Sequence, residues 1–137
     1  MTAAPDAPDP AGLVAMMPFA AELGIEIDAA APEEVVGRLP FSPRRCTAGG
    51  VLHGGALMTL ADSLGAVCAF LNLPSGASTA TISSSANLVR AVREGDVTAT
   101  SRPLHAGRSV IVVQTELHDA QGRLVGQVTQ TQAILGP

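Results

Sequence analysis

The 137-residue chain has no lysine, tryptophan or tyrosine, and its only aromatic rings of the benzene type are Phe19, Phe41 and Phe70. Cysteine is nearly as scarce. Cys46 and Cys68 stand far apart and form no CxxC pair, which excludes a disulfide scaffold and a zinc knuckle. Two reduced thiols in a cytoplasmic protein are expected instead. Charge is sparse too: eight arginines against twelve acids leave a net charge of −4. No basic stripe exists to hold a nucleic-acid backbone. The first basic residue is Arg38, so no secretory or transit segment is expected. Residues 63–89 carry no charge, but Asn72, Pro74 and the Ser/Thr-rich run from Ser75 to Ser85 interrupt the stretch, and no membrane span is expected.

What the chain does have is apolar mass, 47% of its residues, enough at this length for one continuous core. Residues 1–10, rich in Ala, Pro and Asp, read as a loose tail ahead of a single domain over residues 11–137. Leu13, Met16, Met17, Ala20 and Leu23 recur at helical spacing as far as Gly24, with Pro18 interrupting the middle. Ile25 to Ala30 and Val35 to Phe41 read as two strands turning at Pro32, followed by a loop from Ser42 to Gly50. From Gly54 or Gly55 to Leu71 the chain is helical and apolar almost all round, the mark of a helix buried on most sides; Pro74 and Gly76 end it. Four strands follow: Thr79 to Arg90, Val97 to His105, Ser109 to His118 and Leu124 to Leu135. Gly95-Asp96, Ala106-Gly107 and Gln121-Gly122 separate them at hairpin spacing. This order predicts an α+β domain in which a curved antiparallel sheet wraps a long central helix.

Two features could carry chemistry. The segment Gly49-Gly50-Val51-Leu52-His53-Gly54-Gly55 runs straight into the central helix. The first amides of a helix lack internal partners and sit at the positive end of its dipole, a place for a carbonyl oxygen that becomes anionic. A plain glycine-rich helix start would look the same. Asp62 lies within the apolar helix with Thr59 and Ser63 on its face, and an ionised carboxylate there is costly without compensation. It reads either as a nucleophile or general base, or as a structural Asp bonded to a neighbouring chain. His53 and Asp62 are nine residues apart, about 900° of rotation and ~13 Å of rise on a helix. They point to opposite faces, so one site using both requires two subunits, and a symmetric dimer would build two such sites. His105 and His118 have no spaced metal partners and read as structural; no metal is expected. No GxSxG, GxGxxG or P-loop pattern occurs.

The HGG pattern followed by a helix with Leu60-Ala61-Asp62 resembles the hotdog-fold acyl-CoA thioesterases, specifically the phenylacetic-acid-pathway type. Asn87-Leu88-Val89-Arg90-Ala91 is similar to a later segment of that family, and the likeness covers about Leu23 to Ile134. The resemblance implies a hotdog fold forming dimers, paired into tetramers, that hydrolyses an aryl-acyl or medium-chain acyl-CoA without any cofactor beyond the coenzyme A of its substrate. It implies Asp62 as the catalytic carboxylate and the Gly54 amide as the group polarising the thioester carbonyl, with His53 and Gly55 shaping that pocket. Family members carry Asn or Gln six residues before the His, where this chain has Thr47, a shorter-reaching hydroxyl. A Ser or Thr on the strand after the helix assists the carboxylate; Thr81 aligns best, and Ser83, read as lying on the same strand face, competes. Ser63 is expected at the substrate. Arg90 and Arg108 are the positions implied for the coenzyme phosphates. Two other readings share the fold: a non-catalytic acyl-CoA binder, which Thr47 favours, and a hydratase or dehydratase, which would want a His beside Asp62.

Overall fold

The computed structural model describes residues 9–136. The expected N-terminal tail lies outside the described residues through residue 8. Its last two residues belong to a helix: the Asp9 side chain accepts from the Ala11 amide and caps α1 (Pro10–Ala15). The continuous helical pattern expected up to Leu23 is two helices, because Pro18 supplies no amide to the preceding turn and instead starts α2 (Pro18–Leu23). Gly24 ends α2 with φ of 93°, a conformation that glycine alone adopts without strain.

β1 (Glu26–Ala31) and β2 (Glu34–Leu39) follow, then a single 3-10 turn at Pro43–Arg45. The central helix α3 (Gly54–Leu71) comes next, and then β3 (Ser78–Leu88), β4 (Val97–Ala106), β5 (Val110–His118) and β6 (Leu124–Leu135). The strands form one six-stranded sheet in the order β1-β2-β4-β5-β6-β3, antiparallel throughout. One-residue bulges bend it at Asp28, Ile82 and Leu104, where two residues of one strand face one of the next. The bent sheet wraps α3, which is the hotdog fold.

Strand alternation decides what meets the helix. Val35 and Leu39, Val97 and Ala99, Ile111, Val113 and Leu117, and Val125 and Val128 are all buried against Leu57, Leu60, Leu64 and Val67 of α3. Each such side chain contributes about 1.5–3 kcal/mol when fully buried. Two close approaches need glycine. A Cβ at Gly37 of β2 would stand 2.9 Å from the Leu64 side chain, and one at Gly65 of α3 would stand 2.1 Å from Oε1 of Gln130. By length and composition Gly54–Leu71 could cross a membrane, with a mean hydropathy of 1.5, but 56% of it is buried within the fold, as a core helix requires.

The two sheet edges differ in chemistry. At the β1 edge the Arg38 guanidinium meets Glu26 at 2.8 Å, Asp28 at 3.2 Å and Asp96 at 3.3 Å. β3 carries no charged residue from Ser78 to Leu88, and nearly all of its residues are exposed, Ile82 by 60%.

Candidate active site

His53 caps α3 with its ring: Nδ1 accepts from the Gly55 amide at 2.8 Å. That bond leaves the imidazole proton on Nε2, aimed away from the helix as a donor. Gly55 must be glycine here, since a Cβ would stand 2.9 Å from Nδ1. The Ala56 and Leu57 amides both turn back to the His53 carbonyl. The Gly54 amide donates to no acceptor among the described residues, so one N–H at the positive end of an 18-residue helix is left unspent.

Asp62 lies a little over two turns further along α3. Its side chain reaches the surface, yet no hydrogen bond or ion pair engages the carboxylate among the described residues, and burial pushes its pKa above the ordinary 3.8. It lines a cleft of about 470 Å³ together with Ser63, Thr59, Met58, Phe19 and Ser84. Below it, the fully buried Gln130 amide packs on Gly65 and donates to the Asp62 backbone carbonyl at 3.5 Å, its own Oε1 unpartnered. His53 and Gly55 line an adjoining cleft of about 400 Å³ with Arg44, Arg45 and Cys46. Phe19 and Thr59 form the shared wall, and the Thr59 hydroxyl is tied back to the Gly55 carbonyl at 2.8 Å. Within one chain His53 and Asp62 therefore line neighbouring clefts with a common wall, not the opposite faces expected from their spacing, because His53 is the extended cap ahead of α3 and does not follow the helical rotation.

The other expected site residues fall as follows. Thr47 is exposed in the turn before α3; its amide donates to the Val51 carbonyl and its hydroxyl bonds to nothing among the described residues. Thr81 and Ser83 do not share a face. The extra residue at Ile82 shifts the register from Thr81↔Gln132 to Ser83↔Thr131, so alternation restarts. Thr81 accepts from the Gln132 side chain at 2.8 Å, and the hydroxyl that faces Asp62's cleft belongs to Ser84. Arg90 and Arg108 are exposed and line neither the Asp62 cleft nor the His53 cleft, Arg90 donating weakly to the Leu124 carbonyl at 3.4 Å. Arg45 is committed to the Leu23 and Pro40 carbonyls, which leaves Arg44 as the unengaged cation beside His53. Ser84 and Arg44 escaped the sequence reading because a bulge and a loop trajectory leave no periodic signal. Among the described residues no cluster of His, Cys, Asp and Glu is built to hold a metal. Cys68 is sealed in the core, its thiol pushed up to about 11 by burial.

A sheet wrapped around a helix, with an unspent amide at the helix start and an unpaired carboxylate on its flank, defines a hotdog-fold thioester hydrolase. The sequence profile of the thioesterase superfamily matches residues 49–126, the span that holds both groups. The chain is 34% identical over 113 residues to the 1,4-dihydroxy-2-naphthoyl-CoA hydrolase of Escherichia coli, covering 82% of this chain and 83% of that one. It is 32% identical to the proofreading thioesterase EntH of Cronobacter turicensis, covering 83% of each. A 50% match to a relative from Vibrio cholerae runs over 76 residues and spans 51% of that protein. A mutant thioesterase from Pseudomonas aeruginosa superposes with a TM-score of 0.89 at 30% identity, over 95% of this chain and 96% of that one. A hypothetical thioesterase protein from Streptococcus pneumoniae, solved with coenzyme A, superposes at 0.80 with 25% identity, over 90% and 97%. The chain belongs to the thioesterase superfamily.

Proposed function

We propose that the protein hydrolyses an acyl-CoA thioester, of the aryl-acyl or medium-chain kind, in sites shared by two copies of the chain. The observation that carries this reading is the unpaired carboxylate of Asp62, at the surface of a cleft on the flank of the helix whose start holds the unspent Gly54 amide. About 12 Å of helix rise separates the Gly54 amide from Asp62 within one chain, too far for both to meet one carbonyl, so the Gly54 amide of one copy serves the Asp62 of the other. The resemblance to the phenylacetic-acid-pathway type supports the same pairing.

The chemistry asks little of the side chains. The Gly54 amide, helped by the helix dipole and by Nε2–H of His53, polarises the thioester carbonyl and holds the oxyanion that forms. Asp62 attacks the carbonyl carbon or takes the proton from an attacking water. The C–S bond then breaks, the thiolate leaves with the electron pair and takes up a proton, and water supplies the oxygen of the free acid. Ser63 and Ser84 orient the carboxylate's end of the cleft, Thr81 is held by Gln132 on the strand beside it, and Thr47 lies where a longer amide would reach the carbonyl. No cofactor is needed. Arg44, at the mouth of the His53 cleft, joins Arg90 and Arg108 in meeting the coenzyme's phosphates. Two unpaired thiols suit a cytoplasmic setting.

Shared sites support a dimer, and the uncharged β3 edge fits one. Natural edges that must stay single carry charge, as β1 does; β3 offers open ladder groups and Ile82 to a second β3. Tetramers follow if two such dimers pair.

Subunit complementation tests the whole reading. Asp62→Asn should abolish thiol release, and Gly54→Pro should lower it by about 10²–10³. Refolding the two together should restore about a quarter of wild-type activity, because half the random dimers regain one of two sites. No recovery on mixing would overturn the shared site, and binding of a non-hydrolysable acyl-CoA thioether without any thiol release by the wild type would leave a binding protein.

A further inference from the structure

The cleft that holds Asp62 does not stop at its apolar wall. Met17 and Ala66 line both it and a second hollow of about 180 Å³, which is closed by Leu13, Met16, Val67 and Phe70. Met17 comes from the joint between α1 and α2, and Ala66 lies one turn beyond Asp62 on the same face of α3. Together they form a neck. The outer cleft is polar at one end, with Thr59, Asp62, Ser63 and Ser84, whereas the inner hollow has no polar or charged side chain in its lining.

Composition sets this groove apart from the rest of the fold. The three methionines among the described residues, Met16, Met17 and Met58, all line it, as do two of the three phenylalanines, Phe19 and Phe70. Four of these five are exposed: Met16 by 68%, Phe19 by 65%, Phe70 by 47% and Met58 by 42%. The core beneath is Leu, Val, Ile and Ala. Large flexible apolar side chains left open along a single groove suit an apolar ligand that they can close upon. In the shared site a second copy brings its Gly54 to the carboxylate end only, which leaves the hydrocarbon end to a ligand. An acyl thioester carries that gradient in its own bonds, with the reacting carbonyl at one end and the tail at the other.

Resting on the acyl-CoA reading above, we infer that the acyl tail runs from Asp62 past α2 and then between α1 and α3 toward Phe70, and that Met17 at the neck sets the longest tail admitted. The unbranched Met17 side chain is half-buried, at the cap of a helix that makes no side-chain capping bond, and can yield where a branched residue could not. Short and aryl tails are held within the outer cleft, and longer ones must displace Met17.

The test is a chain-length profile of kcat/KM for thiol release from straight-chain acyl-CoA esters, acetyl to dodecanoyl, repeated as thermal shifts with the matching thioether analogues. For the wild type each added methylene should strengthen the reading about fourfold until the tail meets the neck. Met17→Ala should move that limit longer by about four carbons, the reach of one helical turn from Ala66 to Phe70. Ala66→Met, which fills the neck from the opposite wall, should move it shorter. Profiles of both variants that break at the wild-type length would overturn the role of Met17. A wild type that releases no thiol would sink the hydrolase reading alone, because the thioether profiles would still show the shifts or their absence.

Discussion

At the scale of single residues, Asp62 sits where its charge is expensive. Burial raises its pKa above 3.8, so the carboxylate that the proposed mechanism uses is lost as pH falls through that raised value, and the acid limb of the rate profile should lie above the ordinary Asp range. Stability follows the opposite sense. A carboxyl whose folded-state pKa is raised favours the folded chain while protonated, and that advantage is lost as pH rises. Asp62→Asn should therefore abolish turnover while raising the unfolding midpoint at pH 7, with the gap closing as pH drops toward 3.8. An unchanged or lowered midpoint would show that the carboxylate is well solvated. Gly54→Pro is the matching test at the other end of the site. Proline is tolerated at the first helical position and the extended His53 backbone can precede it, so the change removes the amide donor and asks only that the exposed Leu88 side chain, 3.3 Å from the added Cβ, give way slightly. Loss of a single oxyanion donor should lower kcat by about 10²–10³. Arg44→Gln should raise KM and leave kcat unaltered if this side chain meets phosphate. Asp62, His53 and Gly54 stood out in the sequence as candidates because each breaks a local rule: a charge in a greasy helix, and glycines where a helix begins.

At the scale of elements, α3 touches the sheet through contacts set by small residues. Gly65 admits the Gln130 amide, and a methyl group there would stand 2.1 Å from Oε1. Gly65→Ala should cost about 1–3 kcal/mol by overpacking, despite alanine's better helix propensity. Denaturant unfolding checks this, and pairing the change with Gln130→Ala should recover part of the loss if the two groups collide. The long helix and the last four strands were readable from hydrophobic period and turn residues. The break between α1 and α2 was half legible, in Pro18. The bulge at Ile82 was not legible: its cause is the curvature β3 needs to follow the sheet around α3, which no run of Ser and Thr announces. For that reason Thr81 and Ser83 were read as sharing a face, whereas Ser84 is the hydroxyl that reaches Asp62's cleft.

At the scale of the whole molecule, the contrast between the β1 and β3 edges carries an expectation of assembly. Ile82→Lys places a charge on the uncharged edge, as natural proteins do where pairing must be avoided. Analytical ultracentrifugation should show dimers giving way to monomers, and thiol release should fall in step, since a monomer would hold Asp62 and Gly54 in separate half-sites. A monomeric wild type, or an active monomeric variant, would end the shared-site reading.

By itself the sequence determined the class of fold and singled out the two groups on which the proposed chemistry rests. Periodicity, turn residues and a misplaced charge are local signals, and local signals survive in one dimension. Tertiary structure decided what depends on distance between elements: which serine enters the cleft, which arginine borders the helix start, and how Met17 and Ala66 come together as a neck. Those neighbours lie on separate elements, brought together by the bending of a sheet around a helix, and the spacing of residues along a chain does not encode that bend.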